Sequence, residues 1–140
     1  MEKINSPYES LLDMYVAEKR EGFCRIGISY RKELTNPHGN FHGGVIASII
    51  DTATVQGLRT IFPRGPYLTV SLEIRYKNPS NALEIFAEAR PQHLRGKFFR
   101  SNVIVLDKEG RVIAESQVKS FLPTWGDSSP GGNKADKEQG

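Results

Sequence analysis

Several features that mark other classes of protein are missing from this sequence of 140 residues. There is one cysteine, Cys24, so an internal disulfide is excluded. No apolar run reaches the roughly 18 residues that a membrane span requires, and no signal pattern precedes the first predicted element. These absences predict a cytoplasmic protein.

The best-known hydrolase and nucleotide-binding motifs are also missing. Gly-x-Ser-x-Gly, the P-loop and the dinucleotide fingerprint do not occur, so serine hydrolases, nucleotide hydrolases and nicotinamide enzymes have no support. The net charge is only +3, and the basic residues form neither a dense run nor a helical stripe. We expect no nucleic-acid partner, whereas a phosphate-bearing small molecule fits the mild excess of positive charge.

What is present is typical of one small globular domain. Hydrophobic residues make up 38% of the chain and charged residues 25%. We predict one domain over residues 1–122. Residues 123–140 are rich in Gly, Ser, Pro and charge without hydrophobic periodicity, which predicts a disordered tail with Trp125 as its one candidate for docking.

Hydrophobic periodicity predicts a helix, a strand, a long helix and then four strands. Apolar residues at helical spacing follow a Ser-Pro start in residues 6–17, and residues 23–33 alternate like a strand. Residues 34–41 form a loop, and the apolar segment 45–58 is too long for an ordinary strand. Its apolar side chains point in most directions, so we expect this central helix to be buried on nearly all sides.

The last four runs are strand-like and are separated by turn sequences, over residues 68–77, 82–92, 97–106 and 111–122. In the first of them alternation predicts one shared apolar face, formed by Leu68, Val70, Leu72, Ile74 and Tyr76. An α+β fold, in which an antiparallel sheet of about five strands wraps around the central helix, is the simplest architecture that buries that helix.

Two features of the central helix point to chemistry. Gly43 and Gly44 lie where the loop enters the helix, and the unpaired N–H groups and positive dipole of a helix N-terminus suit an oxyanion hole. Asp51 is the only charged residue between Val45 and Leu58. A carboxylate in such an apolar segment is unfavourable unless it is paired or lies in a wet cleft, and a substrate cleft would account for it.

Helix geometry separates these two features. Seven residues place Asp51 roughly 10 Å along the axis from Gly44, which is beyond hydrogen-bonding reach of one carbonyl group. If the glycine amides and the carboxylate act on the same carbonyl, they must come from two antiparallel copies of the helix. The spacing therefore predicts a homodimer with two shared sites.

The segment Asn-x-x-Gly-x-x-His-Gly-Gly, followed after six residues by Asp, resembles the hot-dog-fold acyl-CoA thioesterases of the phenylacetate-degradation type. That family includes the human mitochondrial-associated acyl-CoA thioesterases. The resemblance extends over residues 8–122 and includes the Leu-Thr-Val-Ser-Leu-Glu-Ile-Arg-Tyr-Lys-Asn-Pro and Arg-Gly-Lys-Phe-Phe segments. It marks the subfamily well and the acyl group poorly.

The resemblance implies a role for each matching residue. Asn36 would orient water or the carboxylate, and His42 would hold the thioester and the loop. The Gly43 amide would polarise the carbonyl, and Asp51 of the other subunit would act as general base or nucleophile. Thr69 stands where some relatives have a serine that assists the water. The resemblance also implies a homotetramer formed from two dimers and no cofactor, since coenzyme A is part of the substrate.

A basic turn near residue 96 has two interpretations. Arg95, Gly96, Lys97 and Arg100, with Arg90 nearby, form either a solvated hairpin end or a contact for the phosphates of coenzyme A. The sequence favours neither.

Other interpretations compete at the site. Asp51 could instead be bonded by a neighbouring hydroxyl, Ser48 or Thr52. His38, His42 and Asp51 could be drawn as a metal set, but His-x-x-x-His in a Pro/Gly loop lacks the helical geometry that brings two imidazoles together. We therefore expect no metal.

Two other functions stay open at this stage. The same fold could carry a hydratase or dehydratase that moves protons at the carbons next to a thioester, or a module that binds acyl-CoA without turnover. A carboxylate nine residues after His42 fits a thioesterase better, because a thiolate leaves readily and a base with an oxyanion hole suffices. The acyl group, and whether Asp51 attacks directly or through water, cannot be read from the sequence.

Overall fold

The computed structural model describes residues 2–123. The predicted tail, including Trp125, lies outside them except for Pro123. The helices are α1 (Pro7–Leu11) and α2 (Gly43–Arg59), with a short 3-10 helix at Lys32–Leu34. The strands are β1 (Glu2–Lys3), β2 (Tyr15–Arg20), β3 (Phe23–Ser29), β4 (Leu68–Tyr76), β5 (Glu84–His93), β6 (Phe98–Asp107) and β7 (Val112–Phe121).

The strands form one antiparallel sheet in the order β1-β2-β3-β5-β6-β7-β4, and α2 packs against one of its faces. We call that face inward; it carries the buried core side chains Ile26, Ala87, Val105 and Val118. The predicted fold class, a long helix against an antiparallel sheet, is confirmed. The sheet has seven strands rather than about five, because the N-terminal segment adds β1 and β2.

The predicted leading helix over residues 6–17 is wrong beyond Leu11. Asp13 has φ 59°, which turns the chain, and Tyr15–Arg20 then pairs with β3 as a strand. The ring of Tyr15 lies over Gly27, where a Cβ atom would come within 2.4 Å of it. Tyr15 and Val16 have helical spacing in the sequence but form a strand because they pair with β3, and local periodicity does not predict such a pairing.

The central helix agrees with its prediction in extent but not in burial. Its buried side chains face the sheet, and they include Ile46, Ile49, Ile50, Ala53 and Leu58. The opposite side is only partly covered and carries Gly44, Ser48, Asp51 and Val55. We call these four residues the open stripe.

Helix α1 flanks the open stripe through two polar contacts. The hydroxyls of Tyr8 and Ser48 lie 2.7 Å apart, and Thr52 Oγ1 donates to Glu9 Oε2 at 3.0 Å. The open stripe therefore runs between α1 on one side and β4, whose Thr69 contacts Asp51, on the other.

That strand, β4, is the long edge of the sheet and bonds only to β7. An irregularity between Thr69 and Ser71 shifts its register, so the predicted face of five alternating apolar residues is wrong. By their β7 partners, Thr69, Leu72, Ile74 and Tyr76 face inward and Leu68 faces outward. The apolar side chains exposed on this edge are Leu68, Val70, Leu72 and Tyr76.

The other predicted elements differ only at their ends. The first predicted strand ends at Ser29 rather than at residue 33, and the 3-10 helix follows it. No helix within residues 2–123 is both long enough and apolar enough to cross a membrane.

Candidate active site

His42 organises the start of α2. Its backbone N–H donates to the Leu34 carbonyl at 2.8 Å, and its Nδ1 accepts the Gly44 N–H at 2.8 Å. Its carbonyl accepts the N–H groups of Val45 and Ile46 at 2.9 and 3.1 Å. His42 is thus the N-cap of the helix and accepts hydrogen bonds from three of the four N–H groups of its first turn.

The amide that remains is that of Gly43. Within residues 2–123 its N–H has no hydrogen-bond partner, in contrast to those of Gly44, Val45 and Ile46. An unpaired donor at the positive end of a helix dipole is suited to an oxygen that carries negative charge.

Gly43 lines a cleft of about 570 Å³. Its wall is part apolar and part polar, and the residues are Asn36, Asn40, Phe41, Gly43, Gly44, Ile46, Tyr76, Lys77, Asn78 and Pro79. At the end of β4, the Tyr76 hydroxyl donates to the Gly43 carbonyl at 2.8 Å and ties the start of α2 to the sheet edge.

Two side chains of the loop before α2, those of His42 and Asn36, present donors close to Gly43 in sequence. Because Nδ1 of His42 accepts the Gly44 amide, a neutral ring carries its proton on Nε2. The Asn36 side-chain oxygen accepts the N–H groups of His38 and Asn40 at 2.9 and 3.2 Å, which leaves its NH2 group as the donor. Such a set suits a carbonyl or carboxylate oxygen.

The carboxylate of Asp51 is held by β4. Thr69 Oγ1 donates to Asp51 Oδ1 at 2.6 Å, and Oδ2 has no partner among the residues described. The alternative partners are engaged elsewhere, since Ser48 bonds the Gly44 carbonyl and Thr52 bonds Glu9. The interpretation of Asp51 as bonded by Ser48 or Thr52 is therefore wrong.

Within one chain, Gly43 and Asp51 do not share a site. Both belong to α2 and stand eight residues apart, which corresponds to about 12 Å along the axis. The cleft at Gly43 is lined by neither Asp51 nor Thr69. The structure thus joins Asn36, His42 and Gly43 at one place and Asp51 and Thr69 at another.

The basic turn and Thr69 lie at the same end of the sheet, as a row of cross-strand partners shows. Thr69 pairs with Ser120, Ser120 with Phe99, and Phe99 with His93, whose ring nitrogen lies 2.8 Å from the Gly96 carbonyl. The turn itself holds Gly96 at φ +60° with exposed Arg95 and Arg100 on either side.

Arg90 stands apart from this turn. Its guanidinium lies over the Phe23 ring at 4.8 Å and 3.7 Å from Glu88, so it packs on the outward face.

No metal centre forms within residues 2–123, where no three His, Cys, Asp or Glu side chains converge. Cys24 is buried, and burial raises the pKa of its thiol to about 11, which leaves it a poor nucleophile. A second depression, of about 260 Å³, lies on the outward face beside Glu73 and Glu115, away from both groups of site residues.

Two contacts at the site have no local signal in the sequence. Tyr76 reaches Gly43 across 33 residues, and Tyr8 reaches Ser48 across 40. Tyr76 ends an apolar alternation and so resembles an ordinary core position, and only the pairing of β4 with β7 places it at the helix start.

Comparisons with known proteins agree with this architecture. The model of the family described as the thioesterase superfamily matches residues 38–114. A Halobacterium salinarum protein described as a candidate esterase is 31% identical in an alignment of 86 residues, and the match covers 57% of this chain and 56% of the relative. The chain thus spans about half the length of that curated relative.

Two solved structures show the same fold. A protein from the thioesterase superfamily has TM-score 0.77 and 26% identity, over 84% of this chain and 90% of its own. The Escherichia coli PaaI protein of the phenylacetic acid degradation operon has TM-score 0.78 and 19% identity, over 85% of this chain and 86% of its own.

Proposed function

Because the chain belongs to the thioesterase superfamily, we propose that it hydrolyses the thioester of an acyl-coenzyme A to a free acid and coenzyme A. The observation that carries this proposal is the Gly43 amide, the one amide of the first turn of α2 without a partner in residues 2–123, on the wall of a cleft. A donor fixed in this way stabilises the charge that develops on a carbonyl oxygen under attack.

Asp51 supplies the attack in this proposal. It either removes a proton from a water molecule that adds to the thioester carbon or adds to that carbon itself. The oxyanion then collapses and expels the thiolate of coenzyme A, which takes up a proton. After attack by water the acyl product is the free acid; after attack by Asp51 it is a mixed anhydride, which a water molecule then hydrolyses to the free acid and the regenerated carboxylate. Free thiols have a pKa of about 8.5, so this leaving group needs no strong general acid.

The donors at the cleft and the carboxylate come from different chains in this proposal. The separation of about 12 Å along α2 prevents one chain from applying both to the same carbonyl. The open stripe and the apolar side chains on the nine-residue edge strand β4 are surfaces that a second copy would cover. A pair of such dimers, and a cytoplasmic location, stay predictions.

We place the phosphates of coenzyme A at the basic turn, where Arg95 and Arg100 are exposed beside Gly96 and Lys97. Arg95→Ala and Arg100→Ala should raise KM for acyl-CoA and leave KM for the matching acyl-pantetheine unchanged, because the latter lacks the nucleotide. Lys108→Ala, in the exposed turn after β6, is the control. Equal effects on both substrates would place the nucleotide elsewhere.

Thiol release from a panel of acyl-CoAs tests the activity itself. We expect hydrolysis of at least one member by the purified protein and loss of that hydrolysis in Asp51→Asn. Addition of water to an unsaturated acyl-CoA without thiol release would assign the protein to the hydratases. Binding without either reaction would make it a non-catalytic module.

A further inference from the structure

Four aromatic and basic side chains lie together on the outward face of the sheet, at the end next to the basic turn. Phe98 on β6 pairs directly with Phe121 on β7, and their ring centroids lie 4.9 Å apart. Two residues further along each strand, and so on the same face, Arg100 pairs directly with Lys119. We call these four residues the outward patch.

The cations of the outward patch lack counter-charges. Like charges that lie directly opposite each other on neighbouring strands destabilise a sheet. Neither Arg100 nor Lys119 forms an ion pair within residues 2–123. The chain also has no Asp or Glu in residues 89–106 or 116–123, which surround the patch in sequence. A ligand that carries negative charge would relieve this repulsion.

The ring of Phe98 is open to solvent beside these cations. It is 41% exposed, and Nζ of Lys119 lies 5.9 Å from its centroid. An exposed aromatic ring stacks on a nucleobase, because every base has a flat face. Arginine and lysine side chains bind phosphate. The outward patch therefore combines the two features that bind a nucleotide.

A second aromatic and basic cluster on the same face is built differently. The guanidiniums of Arg20 and Arg90 lie over the Phe23 ring, at 4.0 and 4.8 Å from its centroid. Arg20 forms an ion pair with Glu18. Arg90 lies 3.7 Å from Glu88. Phe23 is buried beneath them, so this cluster is closed and neutralised, whereas the outward patch is open and carries unneutralised charge.

The outward patch adjoins the proposed site. Phe98 directly follows Lys97 of the basic turn, where we place the phosphates of coenzyme A. On the other side, Phe121 pairs with Leu68, and the next residue, Thr69, faces inward and holds Asp51. A second copy of this chain is a poorer occupant, because an isologous contact centred on the patch would bring its cations against the same cations.

We propose that the outward patch binds the adenosine end of coenzyme A, with the adenine stacked on Phe98 and a phosphate group between Arg100 and Lys119. The inference rests on the proposed function, because the acyl-CoA substrate supplies this nucleotide. It adds Phe98 and Lys119 to the basic turn as substrate-binding residues. The patch thereby favours an acyl-CoA over the same acyl group carried on pantetheine.

Binding of a substrate fragment tests the inference without turnover. Adenosine 3′,5′-bisphosphate carries the base and phosphate groups but no thioester, and calorimetry measures its Kd. Phe98→Leu keeps an apolar contact with Phe121 but removes the ring, and Lys119→Ala removes one cation. Each should raise Kd roughly tenfold. Phe98→Trp, which keeps a ring, should leave Kd near the wild-type value, and so should Arg90→Ala, the matched control from the neutralised cluster.

Two results would overturn the inference. The first is a fragment that does not bind, or that binds wild type, Phe98→Leu and Lys119→Ala equally well. The second is a change of oligomeric state in Phe98→Leu and Lys119→Ala without a change in Kd, measured by analytical ultracentrifugation, which would make the patch an interface between copies of the chain.

The fragment test does not depend on the activity. If the wild-type protein releases no thiol from any acyl-CoA but binds the fragment with this pattern of variants, the proposed function fails and the nucleotide site stands. If thiol is released but Phe98→Leu and Lys119→Ala leave KM for acyl-CoA unchanged, the nucleotide site fails and the proposed function stands.

Discussion

The two ends of the proposed chemistry are built differently, although both lie on α2. At the start of the helix, the proposed functional group is the backbone amide of Gly43, which is left unpaired while His42 accepts the N–H groups of the next three residues. In the middle of the helix, it is a side chain, Asp51, held by Thr69 of an edge strand. The first group depends on the local turn of the chain, and the second depends on how the sheet is assembled.

This difference decides what a substitution can do at each end. A backbone donor survives most changes of side chain and is removed only by proline, whereas a carboxylate is removed by any change that takes away its charge. The start of α2 should therefore tolerate alanine, and its middle should not tolerate even an isosteric amide.

The largest effect is expected at the middle of the helix. Asp51→Asn keeps the shape of the side chain but removes the base or nucleophile, so kcat should fall at least about a hundredfold. Thiol release measures kcat, and an unchanged melting temperature shows that the fold is intact. A variant with half the wild-type activity would remove Asp51 from the mechanism.

The start of the helix allows a matched pair of substitutions. Gly43→Pro removes the proposed donor, and proline suits the first helical position, where His42 before it has ψ 139°. We expect a fall in kcat of about a hundredfold. Gly43→Ala keeps the N–H, and its Cβ atom would meet Tyr76 at an ordinary 3.5 Å, so its kcat should stay within a few-fold of wild type. Equal loss in both variants would refute the amide's role.

Mixing the two lesions tests whether the two ends meet across subunits. When Asp51→Asn and Gly43→Pro chains are co-expressed, each mixed dimer has one site with both lesions and one with neither. Random pairing makes half the dimers mixed, so about a quarter of the wild-type activity should return from two nearly inactive parents. Isolated mixed dimers that stay inactive would show that the two lesions lie in separate sites, and therefore that the groups are not shared across subunits.

The smallest effect is expected at the support for the carboxylate. Thr69→Val removes the hydrogen bond to Asp51, and kcat should fall roughly three- to tenfold. Thr52→Val is the matched control, because Thr52 is the next residue to Asp51 but bonds Glu9. If both substitutions lower kcat equally, the effect belongs to the packing of α2 rather than to the hydrogen bond.

The contrast between features set by the local chain and features set by assembly of the sheet explains how much could be predicted from the sequence. The central helix and the last four strands could be predicted because their periodicity is local. Gly43 and Asp51 could be singled out as candidates because glycine and a lone charge stand out in an apolar segment, and their roles stay predictions. Residues 12–17 were assigned wrongly because Tyr15 and Val16 become a strand only through β3.

The open stripe was missed for a related reason. The sequence places apolar residues such as Val55 on every side of the helix, but in a single chain the sheet covers only one side of it. The partner of Asp51 was misjudged because Thr69 lies 18 residues away, across a turn whose path has no local signal.

During synthesis, the strands emerge from the ribosome in an order that the sheet does not follow. β4 is made before β5, β6 and β7, yet it bonds only to β7. Its nine residues, four of them large, apolar and exposed even in the finished fold, therefore have no neighbouring strand until residues 112–121 have left the exit tunnel. Long-range strand pairing of this kind is slow and leaves exposed edges open to wrong partners. A nascent chain that stalls before β7 thus already carries Gly43 and Asp51 but lacks the strand that pairs with β4 and fixes Thr69 in place.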